Sequence, residues 1–257
     1  MDVSIAWLVF GAALAGFVQG LTGFGFAMVA MSVWAWVLDP RLAAVLAVFG
    51  GFTGQLLAAL TVRRGFEWGL IGPFLLGGLC GLPLGMLLLP HLDALSLRAG
   101  LGALLALWCP LMLFSARLPQ WRSPGRWADA LAGLGGGFMG PLGGFTGVVP
   151  TLWCTVCRME RDAQRAVVQN FNLAMLGTTM ATYLAAGTIT APMLPLMAIV
   201  APALVLPALS QEVAALAPAG RLEIVPGVGH LLPWEAPQRL GVLLRGWALD
   251  IHRQVQT

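Results

Sequence analysis

A chain of 257 residues that is 58% hydrophobic and only 10% charged lies far below the roughly 25% charged residues of soluble domains, which excludes a water-soluble globule. Its net charge of +3, carried by 14 Arg and no Lys, is too small and too scattered to suggest a nucleic-acid partner. Repeated apolar runs of about 20 residues instead predict an all-α polytopic membrane protein whose main partner is the lipid bilayer.

The first run, residues 3–38, has no charge between Asp2 and Asp39 and contains GFVQGLTGFGFAMVAM at 16–31. As one helix it would reach ~54 Å at about 1.5 Å per residue, well beyond a hydrocarbon core of roughly 30 Å. Runs at 42–62, 68–89 and 95–115 complete a first transmembrane repeat over residues 1–115. The polar connector ARLPQWRSPGRWAD at 116–129 then links it to a second repeat over 130–209, with runs at 130–157, 166–184 and 189–209. The run at 130–157 is again overlong, about 42 Å if helical, and carries GGFMGPLGGFTGVVPT at 136–151. A shift of 120 positions superimposes Gly16, Gly20 and Gly23 on Gly136, Gly140 and Gly143. Each Gly-rich segment is expected to be a broken or re-entrant helix pair. Its bend must be buried in protein or line a wet cavity, because lipid cannot satisfy bent backbone.

The connector charges decide how these segments sit. If every run crosses once, the ten Arg residues up to Arg165 divide five against five, which specifies no orientation. If both Gly-rich segments enter and leave on one side, Arg63, Arg64, Arg117, Arg122, Arg126, Arg158, Arg161 and Arg165 share that side, and only Arg41 and Arg98 oppose them. Such a bias matches the positive-inside rule. Each repeat then crosses an odd number of times, so the halves are inverted, a recurring transporter architecture with its site at the midplane.

Beyond their first turns the apolar runs hold no Asp, Glu, Arg or His. Any anion at a central site would therefore be held by helix N-termini, backbone N–H groups and neutral side chains. The substrate-binding candidates in the first segment are Gln19, Gly20, Thr22, Gly23 and Gly25. In the second they are Gly140, Gly143, Gly144 and Thr146, joined by Gln169, Asn170 and Asn172 from the interrupted run QNFN. For the amides and hydroxyls the competing role is interhelical hydrogen bonding, worth ~1 kcal/mol or less; for the glycines it is close helix packing. Thr53 and Gln55 are the nearest polar counterparts in the first repeat. Cys154 and Cys157, one turn apart in CTVC, read as packing residues, and no cofactor or metal is expected. Trp68, Trp121 and Trp127 fit an interfacial belt, which is also the favoured role for Trp34, Trp36 and Trp153.

GFVQGLTGFGF, GLGGGFMGPLGGFTGVVP and their placement at the start of two repeats resemble the sulfite exporter TauE/SafE transporters over roughly residues 1–200. The resemblance implies a non-enzymatic transporter of a small anion, such as sulfite, a sulfonate or a related carboxylate, in the multiple-pass inner membrane fraction of a bacterium. It also implies an eighth segment after residue 209, which the sequence lacks, so the second repeat reads as incomplete. A homo-oligomer is compatible with this architecture. Without a P-loop or any Lys, transport would be secondary and driven by an ion gradient.

The last stretch, residues 210–257, changes character. GRLEIVPGVGHLLPWEAPQRLGVLLRGWALDI resembles the C-terminal end of an α/β-hydrolase, with His230 at the catalytic-His position. No G-x-S-x-G elbow accompanies it, and a His without its nucleophile catalyses nothing by that route. A small α/β-like, non-catalytic appendage is expected there. The competing functional reading is a membrane-anchored hydrolase-like remnant or a non-functional hybrid.

Overall fold

The computed structural model describes residues 2–61, 65–114 and 125–208. Among these the regular structure is helical: α1 (Asp2–Thr22), α2 (Phe26–Trp34), α3 (Pro40–Thr61), α4 (Trp68–Leu88), α5 (Ala94–Leu113), α6 (Arg126–Met139), α7 (Val148–Val156), α8 (Arg161–Ala185) and α9 (Leu194–Ala208). The segments Pro40–Leu60, Trp68–His91 and Ala94–Leu113 are long and apolar enough to cross a membrane. The sequence had suggested more such spans. The overlong runs are broken, and α8 has the length but carries Gln169, Asn170, Asn172 and several Thr residues. The chain is an all-α, multi-pass membrane protein. The hydrolase-like tail lies outside the described residues.

Both Gly-rich segments fold back on themselves. In the first, Gly23 (φ 77°) and Gly25 (φ 94°) adopt left-handed backbone between α1 and α2, a conformation that only glycine takes at no steric cost. The Trp34 indole N–H then donates to the Leu8 carbonyl at 3.3 Å, and its ring packs against Gly11. The end of α2 therefore lies beside the start of α1. In the second, the Trp153 indole N–H donates to Asp129 Oδ1 at 2.8 Å, which brings the end of α7 to the start of α6. The two indole contacts correspond within one residue under the 120-residue shift. Trp34 is fully buried, so its role is to close a hairpin and not to anchor at the lipid interface. Trp68 and Trp127 are well exposed, as a belt requires.

The hairpin legs are unequal. At about 1.5 Å per residue, α1 reaches ~31 Å and α6 ~21 Å, whereas α2 and α7 reach only ~13 Å each. The short legs begin deep and emerge where the long legs entered.

Tertiary contacts group the helix ends as the charge bias requires. Arg98 Nε donates to the Ala35 carbonyl at 2.8 Å, with its guanidinium 5.2 Å from the Trp36 ring centre, and Arg41 Nη2 reaches the Pro90 carbonyl at 3.5 Å. The exit of α2, the start of α3, the end of α4 and the start of α5 thus share one end. At the opposite end of α3 and α4, Gly65 accepts from Asn170 Nδ2 at 3.0 Å, which brings in the start of α8 with Arg161 and Arg165. Cysteines introduced at Trp127 and Glu160 in a cysteine-free background are expected to react with an impermeant maleimide from one side, and cysteines at Asp39 and Asp93 from the other. Labelling of positions 127 and 160 from opposite sides would restore an all-crossing topology.

Asp93 and Glu160 cap helices at these ends. Asp93 accepts from the Ser96 backbone N–H at 2.7 Å at the start of α5. The Ser96 side chain, and then that N–H, hold its carboxyl below the usual carboxylate range. Glu160 caps α8 by accepting from Ala163 and Asp162 N–H, and these bonds likewise lower its pKa. Both caps supply acceptors to otherwise unpaired first-turn donors.

The packing is reciprocal. α6 lies against α4, α1 lies against α9, and α3 against α8. Under the 120-residue shift α4 and α9 correspond, as do α1 and α6, so each long hairpin leg packs on the corresponding helix of the other half, α9 for α1 and α4 for α6. The α4–α6 seam is backbone against backbone. Gly77, Gly81 and Gly85 of α4 face the Ala130, Leu134 and Phe138 carbonyls, while Gly133 and Gly137 of α6 face those of Phe74 and Gly78. Four-residue spacing keeps these glycines on one helix face and lets the axes approach as membrane helices with small residues do. Gly16 of α1 similarly meets the Leu204 backbone of α9.

Candidate functional site

The tips of the two hairpins line a partly open cavity of about 30 Å³, space for roughly two waters at about 10–15 Å³ each. One wall is the start of α2, from Phe24 to Met28; another is the second tip and the start of α7, from Gly144 to Val148. Gln19, Gly51, Gln55, Asn172 and Leu176 complete it, and none of the lining residues is charged. The close approach of the two tips depends on Gly144 (φ 80°), where a Cβ would lie 3.2 Å from that of Ala27.

Glycine also leaves helix starts without a side-chain cap. The residue before α2 is Gly25 and that before α7 is Gly147, and neither helix has a side-chain capping bond. Val29 is the first residue of α2 to bond back, to the Gly25 carbonyl at 3.2 Å. The N–H groups of Phe26, Ala27 and Met28 therefore have no carbonyl within their own helix to take them. The start of α2, carrying roughly half a positive charge, therefore presents N–H donors to a cavity without a cationic side chain; at α7 the Val148 N–H is taken by the Phe145 carbonyl at 3.3 Å.

Three buried amides finish the polar lining. Thr146 Oγ1 donates to Asn172 Oδ1 at 2.7 Å, an arrangement that leaves Asn172 Nδ2 as the donor. Gln55 Nε2 donates to the Gly23 carbonyl at 2.7 Å, holding the first turn in place. Gln19 Nε2 donates to the Gly51 carbonyl at 3.3 Å; because that partner is an acceptor, the amide nitrogen must face it. Gln19 Oε1 is consequently left buried with no hydrogen-bond partner.

Of the candidates read from sequence, Gln19, Gly25, Gly144, Thr146 and Asn172 line this cavity. Gly23 shapes the first turn, and Gly143 sits in the second tip against Phe145. Gly20 stays within the last turns of α1, and Gly140 ends α6 with Thr146 and Thr179 packed beside it. Gln169 is buried next to Gly23. Asn170 is engaged elsewhere, donating to the Gly65 and Ala166 carbonyls. The side chain of Thr22 lies outside the described residues. Gly51 and Gly147 went unrecognised as wall residues. Gln55 had one legible signal, a lone amide in an apolar run.

Among known families, the model of the sulfite exporter TauE/SafE family matches residues 8–230. The chain belongs to that family. The match continues about 30 residues past the boundary read from sequence and takes in the stretch ending at His230. The hydrolase resemblance of that stretch finds no support. No curated protein and no solved structure matches the chain. A TauE/SafE member is a membrane transporter for sulfite or related anions, and an uncharged cavity with the N–H donors of the α2 start in its wall suits that ligand class.

Proposed function

We propose that this protein is a secondary transporter that carries a small oxyanion, sulfite or a compact sulfonate or carboxylate, across a bacterial inner membrane. Its Arg-rich end faces the cytoplasm, and an ion gradient drives it. The observation that carries this reading is the meeting of two uncapped helix starts, α2 and α7, at one cavity without formal charge. Such a site attracts an anion, yet releases it more readily than a buried Arg would. Substrate contact is assigned to the α2 first-turn N–H groups, Gly144 and Asn172 Nδ2, with Thr146 orienting Asn172. The reciprocal packing of α1 on α9 and α6 on α4 supports two inverted halves that move against each other around the site.

Proteoliposomes containing the purified chain are expected to take up labelled sulfite above protein-free vesicles, with saturation and with competition by unlabelled sulfite. Uptake equal to that of empty vesicles for sulfite, sulfonates and small carboxylates alike would remove the transport reading.

A further inference from the structure

Resting on that transport reading, we infer that the site takes its oxyanion singly protonated, as hydrogen sulfite and not as the sulfite dianion, with the substrate's O–H donated to Gln19 Oε1. Two independent observations lead there. The first is the orphaned acceptor. Gln19 is 7% exposed and lines the cavity, its Nε2 is engaged by Gly51, and its Oε1 has no partner. A buried acceptor left unpaired is costly, and its natural complement is a donor on the ligand. A fully ionised oxyanion has acceptors only and would set its own lone pairs against this oxygen. A metal cation would require several oxygens, and the described residues hold no cluster of metal-binding side chains.

The second observation is charge balance. The start of α2 supplies first-turn N–H groups and roughly half a positive charge, whereas at α7 the Val148 N–H is taken by the Phe145 carbonyl at 3.3 Å and Pro150 has none. The lining side chains add no charge. With so little positive charge on offer, a monoanion leaves less uncompensated charge in the site than a dianion does. The cavity then has donors for the oxyanion oxygens in the α2 first turn and Asn172 Nδ2, and one acceptor for the acidic proton.

The test is equilibrium exchange of labelled sulfite in proteoliposomes at the same pH inside and out, so that no gradient contributes. Above the second ionisation of sulfurous acid, KM in total sulfite is expected to rise about tenfold per pH unit, while KM expressed as hydrogen sulfite stays constant. Methanesulfonate has the same charge and three oxygens but no acidic proton. It should compete about 10- to 100-fold more weakly than hydrogen sulfite, with a pH-independent inhibition constant. Gln19→Met should raise KM for hydrogen sulfite by a similar factor and leave methanesulfonate inhibition nearly unchanged.

A KM in total sulfite that does not vary with pH, alongside robust exchange, would overturn this inference and leave the transport reading standing. Methanesulfonate inhibition that weakens in parallel with rising pH would also overturn it, because the proton would then belong to the protein. No exchange of any anion would instead remove the transport reading, and this inference with it. If Gln19→Met fails to fold, the wild-type pH profile and the methanesulfonate comparison decide the question alone.

Discussion

Gly137→Leu is expected to leave almost no folded protein in the membrane. Gly137 on α6 faces the Gly78 carbonyl of α4, and a Cβ at Gly137 would overlap that peptide group. Forced overpacking of flexible side chains already costs about 1–3 kcal/mol. Here the obstacle is backbone, which cannot rotate away, and the neighbouring contacts at Gly77, Gly81, Gly85 and Gly133 are equally tight. Relieving one clash would separate the two helices along their whole seam, against a total stability of only about 5–15 kcal/mol for a typical domain. Gly72→Leu on α4 and Gly100→Leu on α5 are the controls, since no atom lies within 4 Å of a Cβ at either position. Size-exclusion profiles and thermal unfolding in detergent should show monodisperse controls and an aggregated or missing Gly137→Leu. A monodisperse Gly137→Leu that melts with the wild type would mean that α4 and α6 do not pack in this way.

The second large effect is expected at Asn172, on function and not on folding. Asn172→Asp preserves size and keeps the acceptor for Thr146 Oγ1, which now donates to Asn172 at 2.7 Å. It replaces the cavity's amide donor with a carboxylate oxygen. That carboxylate would itself be attracted to the start of α2 and would consume the positive field that holds the substrate. It would also repel an incoming anion within a cavity of about 30 Å³, where little water screens it. Uptake of labelled sulfite should fall at least ~100-fold, which corresponds to about 2.7 kcal/mol, while the melting temperature moves by only a few degrees. Wild-type uptake in Asn172→Asp would show that this cavity is not on the substrate's path.

Much of this architecture was legible along the chain, because its signals are local. The overlong runs at 3–38 and 130–157 had to bend, and the glycines marked where. Helix rise and bilayer thickness made a straight span impossible. The connector arginines favoured same-side hairpins, and the indole contacts Trp34–Leu8 and Trp153–Asp129 close such hairpins in the fold. The 120-residue offset likewise anticipated that α3 corresponds to α8.

Which residues meet was another matter, because that depends on helix rotation and on partners far away in sequence. Asn170 and Asn172 are two positions apart on α8, which rotates them about 200° around the helix axis. One therefore faces the cavity, and the other caps Gly65, 105 residues earlier. Gln19 could be named as a polar residue in an apolar run, but only its packing against Gly51 and Gly54 shows which amide atom is satisfied and which is not. Trp34 read as an interfacial residue until the fold buried it against Gly11. The sequence by itself determined the membrane class, the broken segments and the end at which positive charge collects, since hydropathy, glycine and charge act through solvent and backbone geometry at their own position. Only the tertiary structure decided that α6 pairs with α4 and α1 with α9, and that two helix starts and three amides share one cavity. Those outcomes depend on steric fit between surfaces distant in the chain, which no local pattern encodes.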